Sequence, residues 1–97
     1  MANFNKAALR YQYNWSEPFK SKRYLNFDDY DIIDRRNGYH ILDFINRFLT
    51  LHGLYSYDYF RKVEVMICRY MPENLDTRSE MKDWLRKNWN ARLHGVM

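Results

Sequence analysis

The chain predicts an all-α core of three helices behind an extended or β-hairpin N-terminal arm, with an α+β fold as the alternative if the arm pairs with itself. Three observations carry this expectation. Two apolar stripes at helical spacing flank Gly53, a helix-start signature stands at Thr77 and Glu80, and residues 9–16 switch to strict alternation.

In the arm, Leu9, Tyr11, Tyr13 and Trp15 alternate with Arg10, Gln12, Asn14 and Ser16, the period-2 pattern of a half-buried strand. Glu17-Pro18 ends it, and Arg23 to Phe27 is a candidate second strand. A lone hairpin is marginal in water, so the arm must lie on the helices or complete itself with another chain. Asp28, Asp29, Asp31 and Asp34 surround Ile32 and Ile33, where a short fourth helix over about 28–36 is expected, closed by Asn37-Gly38.

The first main helix is expected over about 39–52. Ile41, Leu42, Phe44, Ile45, Phe48, Leu49 and Leu51 cover nearly half its circumference, and Asp43, Asn46, Arg47 and Thr50 share the other side. Gly53, just past the last periodic residue, suits the left-handed conformation that closes a helix. The second helix, about 57–71, buries a stripe of Tyr59, Phe60, Val63, Met66, Ile67, Tyr70 and Met71. Ser56 caps it, Asp58 suits the positive end of its dipole, and Pro72 stops it. With only a short connection around Gly53 the two form an antiparallel hairpin. The third helix, about 78–93, opens with the T-x-x-E capping box of Thr77 and Glu80, continues through Met81, Trp84, Leu85, Trp89 and Leu93, and stops near Gly95.

Ninety-seven residues, 46% apolar and 19% aromatic, are enough for one core without staples, so residues 1–97 read as one domain with 1–25 as a basic, aromatic arm. Cys68 is the only cysteine, which rules out an internal disulfide and a thiolate metal cluster and points to a reducing, cytoplasmic setting. The N-terminal residues form no signal-peptide apolar region, and no apolar run approaches the roughly 18 residues of a membrane span. The net charge of +4 is uneven. Lys6, Arg10, Lys20, Lys22 and Arg23 face only Glu17 in the first 25 residues, and the stretch from Asp76 onward is again basic, while the middle is not.

Signals for catalysis are weak. His40 and Asp43, three apart, lack a third metal ligand, and His52 at a helix C-terminus fits a structural role. No general base stands near Cys68 in sequence. The aspartates at 28, 29, 31 and 34 lack the central glycine and terminal glutamate of a calcium loop, and Gly38, Gly53 and Gly95 are too isolated to cradle a phosphate. A protein without enzymatic activity, metal, cofactor or small-molecule substrate is therefore expected.

Binding is the expected activity. The candidate residues are Arg10, Tyr11, Tyr13, Trp15, Lys20, Lys22 and Arg23 in the arm, and Lys82, Arg86 and Lys87 on the last helix. A surplus of Tyr, Trp, Met and Arg suits a protein interface, and an alternating arm can add a strand to a partner sheet. The favoured reading is thus an adaptor or inhibitor of viral or mobile-element type, docking on a larger host protein or on a second copy of itself. The alternative is a nucleic-acid-binding protein in which arm and C-terminal stripe meet on one surface, stacking bases on rings and pairing phosphates with cations.

Overall fold

The computed structural model describes residues 2–15 and 29–90. After a single 3₁₀ turn at Lys6–Ala8 come helices α1 (Gly38–His52), α2 (Tyr57–Val65), which runs on into a π-helical turn at Met66–Tyr70, and α3 (Arg78–Asn88). The described residues contain no strands, only isolated bridges between Asn14 and Asn37 and between Ile32 and Thr77, and the fold is all-α.

The local stop and start signals act as their chemistry dictates. The Asn37 side chain accepts the N–H groups of Tyr39 and His40 to open α1, and Gly53, at φ 66° and ψ 31°, closes it in the left-handed region. Thr77 and Glu80 form the reciprocal capping box of α3. Ser56 is an exception: it occupies the cap position of α2 but its side chain makes no cap hydrogen bond, and only its backbone carbonyl takes the Tyr59 and Phe60 N–H groups. Beyond Tyr70 the chain leaves helical geometry at Met71, one residue before Pro72.

Residues 29–36 are a correction, because the expected short fourth helix does not form there. The segment is spent instead on the start of α3, whose first N–H groups have no partners within their own helix. Arg78 N–H donates to Asp31 O at 2.9 Å and Ser79 N–H to Asp29 O at 3.0 Å, while Ile33 N–H reaches Asp76 O at 2.6 Å. The side chains follow suit, with Asp31 paired to Arg78 and Asp29 to Lys82.

The arm is corrected in part: residues 9–15 form no strand, since the Arg10 and Tyr11 N–H groups, and some nearer the chain start, go to helix side chains. Ala2 donates to Thr50 Oγ1 at 3.0 Å and Phe4 to Asn46 Oδ1 at 2.9 Å, and Asn46 Nδ2 returns a bond to Phe4 O at 2.8 Å. The polar side of α1 is thus a docking row for backbone. The third helix ends at Asn88, short of the expected 93, with 89–90 already a turn; residues 91–93 and the candidate second strand at 23–27 lie outside the described residues.

The core is built from Ile41, Phe44, Ile45, Phe48 and Leu49 of α1, Phe60, Val63, Met66 and Ile67 of α2 and its π turn, and Met81 and Leu85 of α3, joined by Ile33 and Met71. Two residues expected inside are not: Leu51 is 57% and Tyr59 40% exposed. Leu51 belongs to the last turn of α1, and Tyr59 stands at the edge of the α2 stripe, stacked on Trp89 rather than sunk beneath it.

Candidate interaction surfaces

Glu64 organises the arm. Its side chain is fully buried in α2, where its carboxylate accepts Arg10 N–H at 3.0 Å, Tyr11 N–H at 3.1 Å and the Tyr13 phenol at 2.7 Å. A buried carboxylate is tolerated only when its lone pairs are used. These donors supply that requirement and fix the path of the arm. Tyr13 Oη also lies 3.2 Å from Cys68 Sγ. The phenol has one proton, which Glu64 takes, so the thiol is the donor in that contact. Desolvation pushes the Tyr13 phenol well above its ordinary range, reinforced by the bonds to Cys68 and Glu64, and desolvation likewise pushes the Cys68 thiol up. A raised thiol stays protonated and is a poor nucleophile.

Of the other arm candidates, Arg10 and Trp15 are engaged as well, whereas the Tyr11 side chain is exposed. Arg10 donates from Nε to Tyr57 Oη at 2.7 Å, with its guanidinium 5.7 Å from that ring. Trp15 stands edge-on to Tyr39 at 4.7 Å, under Lys6, and lies so close over Gly38 that a Cβ there would overlap the indole. Lys20, Lys22 and Arg23 lie outside the described residues. On α3, Lys82 is paired with Asp29, Arg86 with Asp83 at 3.3 Å, and Lys87 is exposed.

Among the described residues, the arm candidates and the α3 candidates do not share a surface. At about 100° per residue, Asn46 and Thr50, which hold the arm, stand roughly 180° around α1 from Phe44, Phe48 and His52. Those three meet Arg78, Trp89 and Arg86 of α3 and its end. The same division recurs on α2, where Tyr57 and Glu64 face the arm and Tyr59 and Lys62 face Trp89. Arm and α3 therefore flank the helical hairpin from opposite sides.

Two further surface features stand out among the described residues. One is a groove of about 1260 Å³ between residues 11–14, 32–36 and 67–76, floored by Ile33, Ile67 and Met71. Its charges balance, Arg35, Arg36 and Arg69 against Asp34, Glu73 and Asp76, and the Arg35 guanidinium is committed to the carbonyls of Met71, Pro72 and Leu75.

The other feature lies at the α1–α2 turn, where Leu51, Tyr55 (54% exposed) and Tyr59 show large apolar side chains to solvent. Trp89 extends this face, its ring stacked on Tyr59 at 6.2 Å and under Lys62 Nζ at 4.2 Å. At its rim the His52 ring lies 4.5 Å from Phe48, and Arg86 Nε donates to His52 Nε2 at 3.4 Å. Desolvation, then the cations Arg86 and Lys82, hold the His52 imidazole below its ordinary range.

His40 is buried and accepts the Asp34 N–H on Nδ1, while Asp43 is held by Arg47 and Arg78. Among the described residues no group of three His, Cys, Asp or Glu could hold a metal ion, and no helix is long and apolar enough to cross a membrane. Searches against protein-family models, curated proteins and solved structures return no match.

Proposed function

We propose that the chain is a protein-binding module, an adaptor or inhibitor acting by docking alone, whose contact face is the α1–α2 turn with Trp89. The observation that carries this reading is the concentration of exposed apolar side chains. Of the six large hydrophobic residues exposed among those described, Leu51, Tyr55 and Tyr59 fall within nine positions at one end of the hairpin. Single exposed apolar residues are ordinary, but a cluster rich in Tyr and Trp beside Lys and Arg has the composition of an interface hot spot. The arm supports the same choice by its commitments. With Tyr13 and Arg10 spent on Glu64 and Tyr57, strand addition by the arm would require breaking the contacts that hold it.

The test is affinity capture from nuclease-treated extract at moderate salt, with wild type, a Leu51→Ser/Tyr55→Ser/Tyr59→Ser variant and a Tyr30→Ser control, since Tyr30 is exposed elsewhere. Proteins held by wild type and control and lost by the triple variant support the reading. Capture unchanged in the triple variant overturns it, as does recovery of nucleic acid alone, removed by salt, from a parallel low-salt extract without nuclease. Light scattering on the same proteins identifies a second copy as the partner if a dimer mass falls to a monomer in the triple variant.

A further inference from the structure

We infer that His52 and Arg86 form a proton-operated latch between the C-terminal end of α1 and the last turn of α3, closed when the imidazole is neutral and opened when it is protonated. The geometry requires the neutral ring. Arg86 Nε is a donor, so His52 Nε2 can meet it at 3.4 Å only as an acceptor, with the ring proton on Nδ1. Protonation turns both ring nitrogens into donors. It also sets a second positive charge against the guanidinium, and the contact becomes repulsive.

The surroundings favour the closed form. The exposed His52 ring packs at a 55° tilt against Phe48 at 4.5 Å, which withholds part of its water from the charged state. From α3, Lys82 and Arg86 add positive potential, while Asp83 is turned toward Arg86 and Asp29 toward Lys82. Among the described residues no carboxylate is bonded to the imidazole. The residues of the connecting turn, Gly53 to Ser56, carry no charge, and Asp58 is the first charged residue of α2. The carbonyl end of α1 works the other way, since a helix C-terminus favours a cation, and the Phe48 ring at 4.5 Å attracts a charged imidazole as well.

Opening the latch has a definite consequence for the packing. Phe48 touches both His52 and Trp89, and Trp89 in turn stacks on Tyr59 and under Lys62. A proton on His52 therefore loosens the indole that completes the face described above. The effect on partner binding rests on that functional reading, whereas the latch itself is a property of the chain alone.

The sign follows from the lowered imidazole. A group whose charged form is disfavoured in the fold leaves the unfolded chain holding more protons between the two values, so the latch is fully closed above the ordinary imidazole value of about 6.5 and is lost as pH falls through the lower folded value.

The experiment is an NMR titration of the free full-length chain, following the His52 ring protons and the Trp89 indole N–H together. The expected result is a His52 midpoint below about 6.5, with the Trp89 resonance moving at the same midpoint. In Arg86→Gln that midpoint should rise, and in His52→Gln, which keeps an acceptor for Arg86 without the charge, the Trp89 transition should disappear. A His52 midpoint at or above the ordinary value overturns the latch. So does a Trp89 signal that ignores the His52 transition, or one that persists in His52→Gln. No partner is needed, so the outcome is separate from that of the capture experiment.

Discussion

Tyr13 donates its phenol to Glu64 Oε2 at 2.7 Å across 51 residues of sequence, and this bond ties the arm to the end of α2, where it runs into the π-helical turn. With Arg10 and Tyr11 sharing the same buried carboxylate, Glu64→Ala leaves the arm's donors unpaired or drives them into water. The expected loss is about 2–4 kcal/mol in urea unfolding, against about 1–2 kcal/mol for Tyr13→Phe. Hydrogen exchange checks the cause: the Arg10 and Tyr11 amides should lose protection in Glu64→Ala while α3 keeps its own.

Arg78 pairs with Asp31 at 3.1 Å, both side chains almost wholly out of solvent, and with the more open Asp43 at 3.4 Å. Removing one partner of a buried pair strands a charge, so Asp31→Asn should cost about 3–5 kcal/mol. Asp31→Leu combined with Arg78→Met removes both charges, and its unfolding midpoint should recover most of that loss. A double variant as unstable as Asp31→Asn would show that the site depends on these ions themselves.

Gly38 lies under the Trp15 indole at the first turn of α1. Alanine is the better helix former by about 1 kcal/mol, yet here its methyl group must displace the ring, and the overpacking term of about 1–3 kcal/mol prevails. Gly38→Ala is expected to be destabilising by up to about 2 kcal/mol on that balance. The contact can be read directly, because the ring should shift a Gly38 Hα resonance upfield in wild type and not in Trp15→Ala.

The capping box of α3 gives a pH dependence of known sign. The Thr77 side chain, then its backbone N–H, hold the Glu80 carboxyl below the ordinary carboxylate range. A carboxylate lowered in the fold contributes stability above its unfolded value and loses it as pH falls through the folded one. Thr77→Ala should therefore cost about 1 kcal/mol at neutral pH. Its stability difference from wild type should also shrink as acid protonates Glu80, measured by thermal melts across the carboxylate range.

What was legible in the sequence was local. Gly53, Pro72 and the Thr77–Glu80 pair act within a turn or two of themselves, and the helices they bound form where the apolar spacing places them. The arm's alternation was real in that Tyr13 and Trp15 pack inward, but alternation cannot say whether backbone donors will meet a strand or a side chain. Glu64 was invisible because its partners come from more than fifty positions away. The aspartates of 29–36 read as a helix only because their actual task, receiving the first N–H groups of α3, depends on a tertiary meeting. Tyr59 fits the apolar stripe by number alone, and its exposure is decided by Trp89 on another element.

The central claim is that the α1–α2 turn with Trp89, and not the arm, meets the partner. Hydrogen exchange on the chain with and without its captured protein tests this most directly. Protection gained at residues 51–62 and 86–89, with the Arg10 and Tyr11 amides unchanged, is the predicted footprint. Protection confined to residues 10–14, or none at the turn, would contradict it.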